Sequence, residues 1–393
     1  MFLKSIALSF ISTLLLYSST YAADGFDEED EFGSDEPIVI QKVKQEEKKD
    51  FIYFGSVTAS SNYSYSHQGK ISSAKISANL NLEYKVNEQF KAKSTIKAYN
   101  DLYSNVTNDR DFDINELYIQ GSLKSDIDIK IGRQIVVWGK SDNIRITDTL
   151  NPMDITRPGM VDIKDLRLGR VMSKVDYFTS VWSYSAILLH ENRFSTLADA
   201  KSEYFMLPTV KEPSDSLNNS GLALSANAAL QGQDISVYFS NQYIDNTTYK
   251  SNMLGFAYNK VISSYLIKTE IAYFDNYDSN TISSKLDALV GLEYNGISEG
   301  SISLEVANKD KDIQYALRFT QSYINQTVDF TILFSAYGKE MQNGGFARLW
   351  FDYDYRDDIS LSTGFINYIG GNNTYFEKIK NNDRLFVSAK YSF

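Results

Sequence analysis

The chain has 393 residues, a hydrophobic fraction of 43% and a formal net charge of −11 at pH 7, and it contains no cysteine. The lack of cysteine excludes a disulfide framework, a thiol nucleophile and a cysteine-ligated metal site. An acidic balance without a basic stripe argues against nucleic acid as a partner. The 28 tyrosines and 23 phenylalanines occur without long apolar runs, which is typical of half-buried strands.

Residues 1–22 have the pattern of a cleaved secretory signal peptide. Lys4 gives a positive start, residues 6–16 form a short and mostly apolar stretch, and Ala22 ends a segment suited to a signal peptidase. The apolar stretch is too short to span a bilayer as a helix, which needs about 20 apolar residues. We therefore expect the chain to be exported and this segment to be removed.

Residues 23–50 are charged and lack a pattern that could form a core. Residues 24–36 hold eight carboxylates and no cations, so much of the net charge belongs to this leader. The composition predicts a solvated, disordered periplasmic leader. The alternative is a docking segment for a periplasmic partner, because residues 37–40 could add as a strand to the edge of a partner's sheet.

From Phe51 to Phe393 the sequence alternates with a period of two. The strand predicted at 385–393 places Leu385, Val387, Ala389, Tyr391 and Phe393 on one face, and Phe386, Ser388, Lys390 and Ser392 on the other. The same alternation predicts strands at 345–355, 328–337 and 313–320. A soluble β-sandwich would also alternate, but many of these strands run about 10–13 residues, against the usual five or six. Their length and their aromatic-rich apolar faces favour a membrane barrel.

The predicted connections alternate between short and long. Short turns are predicted at 86–88, 124–126, 178–180, 232–234, 296–299, 326 and 356–358. Longer loops rich in Asn and Asp are predicted at 104–111, 139–165, 192–218, 275–283, 339–345 and 371–382. Two connections, near 68–70 and 309–311, are short although the alternation requires long ones.

Counting these segments predicts an all-β fold, a transmembrane antiparallel β-barrel over 51–393 with about 18 strands, or 16 as the alternative count. The sheet must close, because backbone groups at an open edge find no hydrogen-bond partner in hydrocarbon. An even strand number places both termini of the barrel on the periplasmic side. The short turns are then periplasmic and the long loops extracellular.

With the apolar face toward lipid, the other face would line a lumen. The predicted lumen-lining residues are Lys130, Lys268, Glu270, Glu293, Glu305, Arg318, Asp329, Arg348, Asp352, Asp354, Arg384 and Lys390. Charges of both signs inside a barrel of this size favour a hydrated channel. The alternative is a salt-bridged, plugged lumen that conducts little.

The segment after the fifth predicted strand is the most unusual. Arg133 breaks the alternation at a position that should face lipid, and Trp138 with Gly139 would end the strand near the rim. The loop at 139–165 is long enough to be functional, and its apolar residues suggest that it packs against something. We hypothesise that it folds into the lumen as a constriction; the alternative is an external lid. The constriction residues would be Arg145, Asp148, Asn151, Asp154 and Arg157.

Three motifs carry a family resemblance. They are residues 115–120, the run Gly132, Arg133, Gln134, Trp138 and Gly139, and residues 151–154. They resemble a family of outer-membrane β-barrel porins of unknown function (DUF1302-like), related to alginate-export porins. The resemblance covers about 112–170, the signal peptide and the last strand. It implies an 18-stranded channel with a mixed-charge constriction, but the dense lumenal arginines of a polyuronate path are absent here, which argues against alginate.

The C-terminal residues suggest a sorting signal. Tyr391 and Phe393, preceded by alternating apolar residues, resemble the signal that outer-membrane insertion machinery reads. The alternative is the ordinary alternation of any barrel strand.

Enzymatic function has little support in the sequence. The two histidines are His67 and His190, and His190 with Glu191 could form a base with an acidic neighbour. There is no nucleophile motif, metal-ligand spacing or glycine-rich phosphate loop. We therefore predict no catalytic, cofactor-binding or metal site.

The sequence thus predicts a porin-like channel in the outer membrane of a Gram-negative bacterium, passing small polar or amphiphilic solutes and narrowed by an inward-folded loop. One alternative is the outer-membrane component of an export or lipid-transport system. Such a component would dock a periplasmic or inner-membrane transport partner, as the resemblance implies for some relatives. Another is a structural or surface-binding barrel. The expected partners are outer-membrane lipid and the insertion machinery.

Overall fold

The computed structural model describes residues 50–66, 69–103, 110–278 and 283–393. The chain divides into two compact units, Met1–Ile52 and Tyr53–Phe393, and almost the whole sheet belongs to the second. The predicted signal peptide, nearly all of the predicted leader and His67 lie outside the described residues.

Eighteen strands form a single antiparallel sheet. They are β1 Phe51–Ser64, β2 Lys70–Lys85, β3 Phe90–Asp101, β4 Arg110–Lys124, β5 Ile127–Gln134, β6 Arg170–Phe178, β7 Trp182–Leu189, β8 Gly221–Leu230, β9 Gln233–Tyr243, β10 Lys250–Ile262, β11 Tyr265–Asp278, β12 Ser283–Ile297, β13 Gly300–Lys309, β14 Asp312–Tyr323, β15 Val328–Tyr337, β16 Gly344–Arg356, β17 Ile359–Ile369 and β18 Arg384–Ser392. Each strand pairs with the next in the chain, and β1 also pairs with β18, so the sheet closes on itself. The predicted 18-stranded closed antiparallel barrel is confirmed.

The helices in the described part of the chain are short and lie in connections between strands. Helix α1 (Ile163–Leu166) lies between β5 and β6, a 3-10 helix (Leu217–Asn219) between β7 and β8, and α2 (Thr374–Ile379) between β17 and β18. None of the helices among the described residues is long and apolar enough to cross a membrane.

The alternation of the sequence becomes two distinct faces. In β18, Leu385 and Val387 are 47% and 53% exposed, whereas Arg384 is 1% exposed. Residues directly opposite each other on neighbouring strands point to the same face. The register therefore assigns the residues of every strand to the same two faces as those of β18. Exposed apolar residues occupy one face of strand after strand, as an outer surface in contact with lipid requires.

The connections alternate in length as predicted. The predicted short turns and the short connections 65–69 and 310–311 are present. Two connections did not appear in the prediction, a turn at 263–264 and a longer loop at 244–249. The turn is formed by two serines, with Ser263 at a φ of 54°, so it lacks the Gly, Pro and Asn residues that mark most turns. Residues 104–109 and 279–282, in two predicted loops, lie outside the described residues.

Candidate functional site

The connection between β5 and β6 (135–169) begins at a network of buried amides. Gln134 is fully buried, and its side-chain amide donates to the backbone oxygen of Met172 at 3.0 Å. The side chain of Asn151 accepts from the backbone N–H of Val136 at 2.8 Å and donates to the oxygen of Leu168 at 2.8 Å. The Asn151 bonds satisfy backbone groups that have left the ladder of the sheet, and they join the two ends of the connection.

Arg133 lies on the outer face, as its break in the alternation predicted. It is opposite Leu117 in the register, and Leu117 is one of the exposed apolar residues. Its guanidinium forms an ion pair with Glu191 at 2.6 Å. Glu191 also accepts from the backbone N–H of Val171 at 2.8 Å. The charge is therefore paired at the long-loop rim of the barrel.

The connection turns toward the strands at Trp138 and Gly139. The Trp138 ring stacks on Tyr238 of β9, with centroids 4.8 Å apart. Gly139 has a φ of +82°, and a Cβ there would lie 2.8 Å from a carboxylate oxygen of Glu270. Glycine adopts such a backbone conformation without the cost that a side chain adds. Both the conformation and the close approach to Glu270 require glycine here.

Glu270 on β11 is buried inside a cradle of donors from the connection. Its carboxylate accepts from the backbone N–H groups of Lys140 at 2.6 Å, Ser141 at 2.7 Å and Thr147 at 3.1 Å. The Thr147 hydroxyl donates a fourth bond at 2.8 Å. A buried carboxylate is costly unless it is hydrogen-bonded, and these donors supply that compensation.

Glu305 on β13 forms a second attachment beside the first. It accepts from the Ser141 hydroxyl at 2.7 Å and from the backbone N–H groups of Asp142 and Asn143 at 3.0 and 3.1 Å. Lys268 contacts the Asp142 carboxylate, and it forms an ion pair with Glu293 at 2.9 Å. Four of the predicted lumen-lining residues thus meet at residues 140–147.

Apolar side chains of the connection pack between these polar attachments. Ile144, Ile146 and Leu150 are almost fully buried. They belong to a cluster that also contains Met172, Ile187, Leu189, Met253 and Leu289 from the inner faces of the strands. Where the connection covers the inner face, buried apolar side chains therefore lie beside the polar attachments.

The distal part of the connection reaches strands on the far side of the sheet. The Asp162 carboxylate accepts from Arg318 of β14 at 3.0 Å and from Arg348 of β16 at 3.1 Å. Arg157 forms an ion pair with Asp101 of β3 at 3.1 Å. The same connection is therefore bonded to strands all around the barrel.

The five predicted constriction residues make most of their bonds inside the connection, and their role in a constriction stays a prediction. Asp148 is buried and pairs with Arg145 at 3.1 Å and with Arg167 at 2.8 Å. Burial lowers the pKa of the Arg145 guanidinium, and the Asp148 charge opposes that effect. Asn151 is also buried, and Asp154 accepts from Thr156. Arg157 bonds to Asp101 of β3, and Asn151 donates to the oxygen of Gln134 at the end of β5. The side chains of Arg145, Asp148 and Asp154 bond within the connection and hold its shape.

The register places every predicted lumen-lining residue on the inner face. Four of these residues contact residues 140–147, and Arg318 and Arg348 contact Asp162. Others have partners on the strands or in a loop: Lys130 lies over the Tyr118 ring, Asp329 accepts from Ser322, Asp352 accepts from Ser362, and Arg384 pairs with Glu203. Their role in lining an open passage stays a prediction.

The connection between β7 and β8 (190–220) was not assigned a role from the sequence. It reaches β17 and β18, where Glu203 pairs with Arg384 at 2.7 Å and the Tyr204 ring packs edge-on against Tyr368 at 5.9 Å. Tyr204 belongs to an apolar cluster with Ile366, Tyr368, Phe376 and Ile379. Its length was the available signal; its partners could not be read from local pattern.

The remaining candidates for chemistry are sparse. A ring nitrogen of His190 lies 2.8 Å from the Ser173 hydroxyl. Among the described residues, no group of three His, Asp or Glu residues could hold a metal ion.

Comparison with known proteins supports the architecture. The model of a family described as a protein of unknown function (DUF1302) matches residues 35–187, and no curated protein matches the chain. Among solved structures, OccAB2 of Acinetobacter baumannii has a TM-score of 0.56 at 11% identity, covering 88% of this chain and 98% of that one. The outer membrane protein opdK of Pseudomonas aeruginosa has 0.55 at 8%, covering 88% and 99%.

OccK8 (OprE) of Pseudomonas aeruginosa is similar too, with a TM-score of 0.53 at 10% identity, covering 88% of this chain and 98% of that one. At these identities the likeness concerns the fold. The motifs that carried the resemblance lie within the matched residues. The resemblance to the DUF1302 family of unknown function is thus confirmed over residues 35–187, and the chain has the fold of an outer-membrane porin.

Proposed function

We propose that this chain is a porin-like channel of the Gram-negative outer membrane, narrowed by the β5–β6 connection. One observation carries the proposal: the connection bonds to Glu270 on one side of the closed sheet and to Asp101 and Arg348 elsewhere around it. All three belong to the inner face. A segment can reach such side chains around a closed barrel only from within the bore, so this geometry supports a constriction over an external lid.

The inner face supports passage of small polar or amphiphilic solutes. It carries charges of both signs, and several of them bond to neighbours on the same wall, as Lys174 does with Asp176 at 2.7 Å. Such a wall stays hydrated, because ionised side chains are poorly accommodated in a dry interior. The short turns face the periplasm in this proposal, and the signal peptide is removed during export.

Conductance across a planar bilayer tests the proposal. Purified, refolded protein should give discrete single-channel steps, and a complete absence of steps from folded protein would show that it is not a channel. Removing residues 141–164 should raise the conductance of each step, because the bore widens. An unchanged step size would place the connection outside the bore.

A milder variant covers the case in which that deletion fails to fold. Glu270→Gln with Glu305→Gln weakens both cradles, since a neutral amide accepts weaker hydrogen bonds than a carboxylate. It should increase current noise or step size. Asp329→Asn is the matched control. The substitution removes a charge from the same face, but Asp329 bonds to Ser322 on a neighbouring strand and not to the connection. Equal effects in both would rule out fastening of the connection as the cause.

A further inference from the structure

The tip of the β5–β6 connection places a carboxylate between two arginines. Asp162 accepts from Arg318 with one oxygen at 3.0 Å and from Arg348 with the other at 3.1 Å. The two arginines come from β14 and β16, on the inner face of the barrel. Guanidinium groups match the geometry of a carboxylate, so this is a site for one carboxylate group.

The Asp162 side chain has no local task that would explain its position. Asp162 is the N-cap residue of α1, yet its side chain makes no capping hydrogen bond. The backbone forms the turn instead, with the N–H of Asp165 donating to the oxygen of Asp162 at 3.0 Å. Asp at an N-cap ordinarily accepts from the first turn of its helix. Here the carboxylate is directed to the wall.

The arginine pair is held by the wall itself. The Arg348 guanidinium lies 3.9 Å from the centroid of the Trp350 ring, and Arg318 lies 5.4 Å from the same ring. The Trp350 indole N–H donates to Asp352 at 3.1 Å, which fixes the ring. Stacking on an aromatic face holds a guanidinium in position. The pair can therefore keep its geometry when Asp162 leaves.

One polar atom at this site is left over. The Nε of Arg348 is buried and has no hydrogen-bond partner in the described part of the chain. A buried N–H without a partner is costly, and Asp162 satisfies only another nitrogen of the same group. The site therefore offers more donors than its present occupant uses.

We propose that Arg318 and Arg348 form a binding site for the carboxylate group of a solute, and that Asp162 occupies it as an internal competitor. A solute carboxylate displaces Asp162 and frees the tip of the connection from the far wall. Only one part of this inference rests on the proposed channel function, namely the effect of solute binding on conduction. The binding exchange itself requires only the folded barrel. Because the competitor is tethered, its effective concentration is about millimolar, and the native site binds solute weakly.

Acetate is the probe, since it reproduces the Asp162 side chain. Its binding to the folded barrel in detergent can be followed by the fluorescence of Trp350, with Trp350→Phe identifying that ring as the reporter. Asp162→Asn should bind acetate about tenfold more tightly than the native chain, because the charged competitor is gone. Asp165→Asn is the matched control, an exposed carboxylate of the same helix, and should bind as the native chain does.

Substitution of the arginines is the second part of the experiment. Adding Arg348→Gln to Asp162→Asn should abolish acetate binding, and Arg318→Gln serves in its place if that variant does not fold. Equal affinities for Asp162→Asn and Asp165→Asn would overturn the proposal, as would binding that survives loss of either arginine.

Bilayer recording separates this inference from the proposed function. Asp162→Asn should shift the reversal potential in a salt gradient toward anions more than Asp165→Asn does. If no variant conducts, the channel function is wrong, while acetate binding still decides the arginine site. If the channel conducts and the two variants have the same selectivity and the same acetate affinity, the arginine site is wrong.

Discussion

Two long connections attach to the barrel by different chemistry. The β5–β6 connection is fastened by carboxylates that accept backbone N–H groups, as at Glu270 and Glu305. The β7–β8 connection attaches to the strands through side chains: Tyr204 packs in the apolar cluster, and Glu191, Arg193 and Glu203 form ion pairs with β5, β4 and β18. The first arrangement fixes backbone atoms, whereas the second joins side chains by packing and by charge. Substitutions that shift the backbone should therefore affect the first connection most, and substitutions of single side chains the second.

The largest expected effect is at Gly139. Gly139→Ala places a Cβ against the Glu270 carboxylate, so it should cost about 1–2 kcal/mol for the left-handed backbone and about 1–3 kcal/mol more for weakened bonds to a buried carboxylate. Denaturant unfolding of the barrel in lipid vesicles measures the sum.

Gly232→Ala is the control for that measurement. Gly232 also has a positive φ, of 70°, but a Cβ there would have its nearest neighbour at 3.9 Å. It should show the backbone cost alone. Equal losses in the two variants would mean that the Glu270 cradle contributes nothing to stability.

A smaller effect is expected at the ion pair between Glu203 of the β7–β8 connection and Arg384. Glu203→Gln leaves the buried Arg384 guanidinium without its charged partner. Glu203 itself is about one-third exposed, so solvent screens the pair and the loss should be about 1 kcal/mol. Glu377→Gln, in the exposed Glu377–Lys380 pair of α2, should leave unfolding unchanged. A loss at Glu377 as large as that at Glu203 would remove the distinction between the two pairs.

The smallest effect is a response to alkaline pH. Burial raises the pKa of the Tyr204 hydroxyl above its ordinary value, so the neutral form is favoured in the folded state. The stability that this contributes is fully present below the unfolded pKa of about 10 and is lost as pH rises toward and through the folded value. Limited proteolysis should therefore cut the β7–β8 connection faster above about pH 10.

Tyr204→Phe separates this effect from general alkaline damage. Phenylalanine keeps the ring contacts and removes the ionisable hydroxyl, so the variant should show a weaker increase in cleavage between neutral and alkaline pH. The same increase in both chains would assign the effect to other groups.

The strands could be predicted because their signal is local. Alternation over ten residues identified the strand Val328–Tyr337 with its observed ends, and parity along each strand put Lys390 and Arg384 on the inner face. The partners of the β5–β6 connection could not be predicted, because they depend on which strands meet across the closed sheet. Arg145 and Asp148 were predicted as constriction residues, and their pairing with each other could not be predicted from the sequence. Charge in a sequence does not reveal whether a side chain turns to solvent or to its own loop.

The cradle around Glu270 also imposes an order on assembly. Lys140 donates to a carboxylate that follows it by 130 residues, so residues 140–147 have no cradle until β11 has joined the sheet. The attachment to Arg348 likewise requires that β16 is in place. A barrel that lacked those two strands would leave residues 140–164 without these bonds and accessible to proteases. The bonds of this connection can therefore form only when both strands have joined the sheet.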